Sequence, residues 1–67
     1  MMDIRFSRHA KNKLRLYKLD PENIEEAINF GERLNQGDRL ESRYGKLRII
    51  WVIIGPYAFV ITIIKSR

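Results

Sequence analysis

The chain has 67 residues, no cysteine, one histidine, a formal charge of +5 and a pI near 10.0. That length makes a single domain, residues 1–67, and the composition excludes disulfides, thiolate metal sites and a histidine-rich zinc site, so no metal or other cofactor is expected. Its start lacks the apolar core of a signal peptide, and no stretch reaches the ~18 apolar residues of a membrane span, so a cytoplasmic location without a membrane is expected.

Asp3-Ile4-Arg5-Phe6 alternates polar and apolar residues and reads as a short first strand or an extended lead-in. Ser7 is a helix N-cap, and a helix follows over Arg8 to about Tyr17. Ala10, Leu14 and Tyr17 recur at helical spacing as its buried stripe, while Arg8, Lys11, Arg15 and Lys18 form a basic ridge. Asp20-Pro21 opens a second helix, with proline where a missing N–H costs nothing. Glu22, Glu25 and Glu26 suit the positive end of its dipole, Ile24, Ala27 and Ile28 form its buried stripe, and Gly31 ends it.

Gly31 to Asp38 reads as a loop with Leu34 turned inward. Arg39 to Tyr44 then alternates as a charged strand, the composition of a protected sheet edge. The last third holds two β-branched runs, Lys46–Ile54 and Ala58–Lys65, around Gly55-Pro56-Tyr57. Stiff branched side chains with a Gly-Pro break predict an antiparallel hairpin at the centre of the sheet. The expected order is β-α-α-β-β-β, an α+β domain with two helices on one face of an antiparallel sheet.

Both faces of that hairpin are apolar. Leu47, Ile49, Trp51 and Ile53 share one face, and Ile50, Val52 and Ile54 share the other, with Val60 and Ile64 expected beside them. Helices can cover only one of the two, so a partner on the second face is expected, with a second copy of the chain as one candidate.

Charge is blocked along the chain. Residues 1–19 carry six Lys/Arg and one acid, residues 20–41 two Lys/Arg and seven acids, and residues 42–67 five Lys/Arg and no acid. Two basic ends on so small a domain can converge on one surface suited to a polyanion such as nucleic acid. The competing explanation is an ordinary solvated surface.

Phe6-Ser7-Arg8-His9-Ala10, then Leu14, Leu19-Asp20 and Ile24-Glu25-Glu26-Ala27-Ile28, resembles a family of small bacterial and archaeal proteins that begin "Phe-Ser-x-His-Ala". They are similar in layout to the RelE/ParE toxins of type II toxin–antitoxin modules, including the BrnT-like branch. The resemblance implies a toxin held by a cognate antitoxin. Its RelE side implies metal-independent mRNA cleavage, often on the ribosome, by attack of a 2′-hydroxyl on the adjacent phosphate. Its ParE side implies a non-catalytic gyrase poison. A plain nucleic-acid-binding or structural module without activity is the third reading, so the resemblance leaves open whether the chain is an enzyme.

Cleavage of that kind needs a base, an acid and cations that stabilise phosphate charge. His9 is the first candidate because imidazole titrates near neutrality; its alternative role is to lock the helix start. Arg43, Arg48 and Lys65 supply the cations by residue class, against the alternative of edge or terminal charges. Tyr44 could stack a base or donate a proton, though tyrosine at a turn more often packs, and Tyr57 is the same case. Trp51 reads as core. Arg8, Lys11, Arg15, Lys18 and Arg67 suit phosphate contacts, which add affinity without sequence choice.

Overall fold

The computed structural model of the chain describes residues 3–66. In order the elements are β1 (Asp3–Phe6), α1 (Arg8–Leu16), α2 (Pro21–Phe30), β2 (Glu32–Gln36), β3 (Arg39–Tyr44), β4 (Leu47–Ile54) and β5 (Tyr57–Lys65). The strands form one sheet in the order β1-β5-β4-β3-β2. The helices carry the chain from one edge of the sheet to the other, and four antiparallel strands meander back to meet β1, which lies parallel to β5.

The α+β class and the two-helix cover agree with the sequence. Three expectations are corrected. The sheet is mixed rather than antiparallel, because β1 pairs parallel with β5. Glu32–Gln36 is a strand, not a loop. With β2 outside it, β3 is an interior strand and not the edge. The charged, polar side chains of β2 are the edge protection that β3 was expected to supply.

Each hairpin turns on two residues, Gly37-Asp38, Gly45-Lys46 and Gly55-Pro56. The glycine comes first in each, with φ of 70°, 60° and 58° respectively. Left-handed backbone at the first turn position is what a type II′ hairpin requires, and its twist matches the strands. At Gly55-Pro56 the proline ring also presets the second position.

The core lies between the helices and one sheet face. Ala10, Ile24, Ala27, Ile28, Ile49, Trp51, Ala58, Val60 and Ile63 form it, with Ile4, Phe6, Leu14, Tyr17, Leu19, Leu40 and Leu47 packed against them. Phe6, Val60, Trp51 and Leu40 follow one another across neighbouring strands on that face. At the core a β-bulge intervenes: Ile50 pairs with Thr62 but Trp51 with Val60, leaving Ile61 unpaired. The extra residue flips the alternation of β5. Val60 therefore enters the core, whereas Ile64 stays on the other face, so the expected pairing of these two on the second face fails. Leu34, expected inward, is half-buried on that same second face, opposite Glu41.

Ser7 ties α1 to this bulge. Its Oγ accepts from the Ala10 N–H at 3.0 Å and donates to the Ile61 carbonyl at 2.7 Å. The unpaired residue of the ladder thus gains a partner, and α1 is set against β5 through the fully buried Ala10. At the start of α2 the side chain of Asn23 accepts from the Asp20 N–H at 2.8 Å, the reverse arm of a capping box.

Helix α1 ends in a Schellman turn. Leu19 N–H reaches the Leu14 carbonyl at 2.8 Å and Lys18 N–H the Arg15 carbonyl at 3.3 Å. Lys18 holds φ of 56°, the left-handed position that glycine usually fills. Lys18→Gly should therefore stabilise the fold by about 1 kcal/mol and raise Tm by roughly 5 °C, read by thermal unfolding. An unchanged or lowered Tm would contradict the turn described here.

Candidate nucleic-acid interface

The face of the sheet opposite the helices is open. Register places Asp3 and Arg5 of β1, Tyr57 and Phe59 of β5, Arg48, Ile50, Val52 and Ile54 of β4, and Glu41 and Arg43 of β3 on it. None of these residues belongs to the hydrophobic core. Ile50, Val52 and Phe59 are half-buried by their neighbours alone, and Ile54 and Ile64 are exposed. Its centre is thus apolar and aromatic, with arginines on both sides.

Arg43 and Arg48 face each other directly across β3 and β4. Like charges in register repel, and Glu41 answers them from two residues away. Its carboxylate accepts from Arg43 Nε and, at 2.7 Å, from Gln36 Nε2. Only 5% of Glu41 is exposed. The hydrogen bond from Arg43 is the main cause that holds the Glu41 carboxyl below its usual range, with burial opposing and the charges of Arg43 and Arg48 assisting. The same bond holds the Arg43 guanidinium more firmly charged. At the β1 edge the Arg5 guanidinium lies 4.6 Å from the centre of the Tyr57 ring, a cation–π contact that keeps a third cation over the face.

The sign of the Glu41 effect gives a test. A carboxyl lowered in the folded state adds stability that is fully present above its ordinary value of 4.5 and is lost as pH falls through the lower folded value. Acidification below about pH 4.5 should destabilise the wild type more than Glu41→Gln, whose side chain does not titrate. Denaturant midpoints across that range read the difference, and parallel curves for the two proteins would refute it.

The remaining residues expected at a site are scattered. His9 is exposed on α1, in the helix layer that covers the other face. Tyr44 also projects to the helix side, where its hydroxyl donates to Glu26 at 2.7 Å. That bond to the carboxylate raises the phenol's pKa, so Tyr44 keeps its proton. Lys65 pairs in register with Leu47, so it leaves the end of β5 on the helix side too. Arg8, Lys11, Arg15 and Lys18 are all exposed on α1 and the turn after it. Arg67 lies outside the described residues. Trp51 is core as expected, fully buried with its Nε1–H on Ser42 Oγ at 2.9 Å. Among the described residues no group of three or more His, Cys, Asp or Glu comes together as a metal cage, and no helix is long and apolar enough to cross a membrane.

Arg5, Phe59 and Glu41 were not picked out by sequence. Phe59 joins the face through its register with Val52 of β4, and Arg5 only through the parallel pairing of β1 with β5. Glu41 did carry a signal: it is the last acid of the chain, two residues before an arginine on an alternating strand.

No protein-family model and no curated protein matches the chain by sequence. Among solved structures it is similar to a chain of the toxin–antitoxin complex RelBE2 from Mycobacterium tuberculosis. The TM-score is 0.66 at 17% identity, over 97% of this chain and 98% of that one. It is also similar to the conserved hypothetical protein HP0894 from Helicobacter pylori, with a TM-score of 0.57 at 11% identity over 98% of this chain and 96% of that one. The mixed sheet with both helices on one side is therefore a RelE-like fold.

Proposed function

We propose that the chain is the toxin of a type II toxin–antitoxin module and that its open sheet face engages single-stranded mRNA for metal-independent cleavage. The observation that supports this reading is the cross-strand pair Arg43 and Arg48, set beside an apolar and aromatic sheet surface that no helix covers. Guanidinium groups bind phosphate oxygens bidentately, and aromatic rings on a sheet stack unpaired bases. Phe59 and Tyr57 are the stacking candidates. Arg8, Lys11, Arg15 and Lys18 extend the phosphate contacts around the helix side, or meet an acidic segment of the antitoxin.

In the reaction the 2′-oxygen forms a bond to phosphorus, the P–O5′ bond breaks, the 2′-hydroxyl gives up its proton and the 5′-oxygen gains one. Arg43 and Arg48 stabilise the charge that builds on the phosphate oxygens. By residue type His9, Tyr44 and Lys65 are the other candidates for the acid and base, but they lie in the helix layer or at its side of the sheet, away from the arginine pair. Proton transfer next to the arginine pair then falls to water or to the ribosome on which such an mRNA is read.

That separation favours a second reading, a toxin without cleavage activity that arrests growth by binding, as a ParE-like poison of gyrase or a nucleic-acid-binding module. A cognate antitoxin serves both readings, because a RelE-like chain of RelBE2 is found in a toxin–antitoxin complex. The exposed Ile54 and Ile64 with half-buried Ile50, Val52 and Phe59 give the antitoxin, or a second copy of the chain, apolar surface to cover.

Induced expression with mapping of cellular mRNA ends tests the proposal. Growth arrest with new ends supports the nuclease. Arrest with intact mRNA supports the binding toxin. A folded protein that arrests nothing overturns both.

A further inference from the structure

The buried acid of the open face is unexplained by the readings above. Glu41 sits in the middle of an interior strand, between Leu34 and Ile50 in register, on the face that carries Arg43 and Arg48. A carboxylate 5% exposed on an otherwise open face is unusual. Both of its oxygens are engaged, one by Gln36 Nε2 and one by Arg43 Nε. It is held ionised by these partners, which makes it a poor acceptor for a substrate proton. A role as general base does not fit.

Its geometry fits a different role. Arg43 is held by Nε alone, and its terminal Nη groups make no hydrogen bond to the described residues. Its side chain remains 45% exposed. The carboxylate thus grips the guanidinium by its inner edge and leaves the outer pair of donors free, the pair that matches two oxygens of a phosphate. Gln36 fixes the carboxylate from the other side. An arginine on the open face would otherwise sample many rotamers and repel Arg48 across the strand pair.

We infer that Glu41 is a positioning residue that pre-orients Arg43, so that Arg43 and Arg48 together form a fork for a phosphate of single-stranded RNA. This deepens the RNA reading above and rests on it. It also makes a prediction opposite in sign to simple electrostatics. Removing an acid raises the net charge from +5 to +6, which by counterion release alone tightens binding to any polyanion. Removal of a positioning group weakens binding in spite of the added charge.

The experiment measures binding of a fluorescent single-stranded RNA by anisotropy, for wild type, Arg43→Ala, Glu41→Gln and Glu41→Asp, each checked for folding by thermal unfolding. Glu41→Gln loses the charge and keeps the length. Glu41→Asp keeps the charge and is too short to hold Nε. Both should weaken binding by roughly fivefold to tenfold, as a pre-organised charged contact is lost. Folded variants that bind as well as wild type, or better, overturn the inference and leave the RNA reading standing. A wild type that binds no RNA, or an Arg43→Ala variant that binds fully, overturns the RNA reading and this inference with it. Should both Glu41 variants unfold, the wild type still decides: the Arg43 Hε proton must be protected from solvent exchange in its NMR spectrum, and a freely exchanging Hε overturns the inference.

Discussion

Arg43→Ala/Arg48→Ala should abolish growth arrest while leaving the fold intact. The two side chains are exposed and add nothing to the hydrophobic core, so their loss leaves packing untouched. Repulsion between two guanidiniums in register is relieved, although Glu41 then lacks its Arg43 partner. For a surface that stabilises phosphate, loss of one donor to the developing charge costs about 10²–10³ in rate. Loss of two brings cleavage to background. Binding changes in a separable way: the slope of affinity with salt should fall by about 0.7, the value for the one single-strand phosphate that the pair holds. Growth, mapped mRNA ends and a salt titration of RNA binding together read these effects. His9→Ala is the companion variant. If the arginine pair carries the function, His9→Ala retains arrest, because His9 stands on α1 in the other layer. Arrest lost in His9→Ala and kept in the arginine variant would move the site to the helix side and refute the reading of the open face.

Trp51→Ala should leave no cooperatively folded protein at 25 °C. Trp51 is fully buried at the centre of the core, with Leu40 on one side strand and Val60 on the other. Its Nε1–H is satisfied by Ser42, and the Arg33 guanidinium lies 5.0 Å from the ring centre. Truncating a buried tryptophan costs about 3–5 kcal/mol, as much as the core of so short a chain supplies, about 3–5 kcal/mol. Circular dichroism should show a broad melt or none. Trp51→Phe keeps most of the ring but strands the buried Ser42 hydroxyl, a loss of about 1–3 kcal/mol. A sharp, wild-type-like transition in Trp51→Ala would mean that the core lies elsewhere. Arg33 holds a second contact that supports this site, an Nη2–H to the Ile28 carbonyl at 3.3 Å, so the end of α2 is pinned over the tryptophan. Gly31 makes the same approach possible from the backbone, since a Cβ there would stand 2.5 Å from the Ala27 carbonyl oxygen and 2.6 Å from that of Arg43.

The features legible along the chain are local. Ser7, Asp20-Pro21 and the stripes Ala10, Leu14, Tyr17 and Ile24, Ala27, Ile28 specify both helices and their buried sides, because caps and helical spacing act over one or two turns. The two β-branched runs around Gly55-Pro56 specify the central hairpin for the same reason, and the cations at Arg43 and Arg48 are visible as charges on alternating positions. The remaining features depend on partners far apart in the chain. Glu32–Gln36 has one apolar residue and becomes a strand because β3 offers it an edge. Asp3–Phe6 becomes the opposite, parallel edge because β5 returns to it after fifty residues, and this pairing brings Arg5 over Tyr57. The bulge at Ile61 switches which side chains of β5 are core, a change that strict alternation cannot announce. The charge of Glu41 is plain in the sequence, but its burial and its hold on Arg43 exist only once β2 covers one side of β3 and β4 the other. Local signals are short-range and so can be read along the chain; the open face is a property of five strands brought together, and its chemistry appears only with their register.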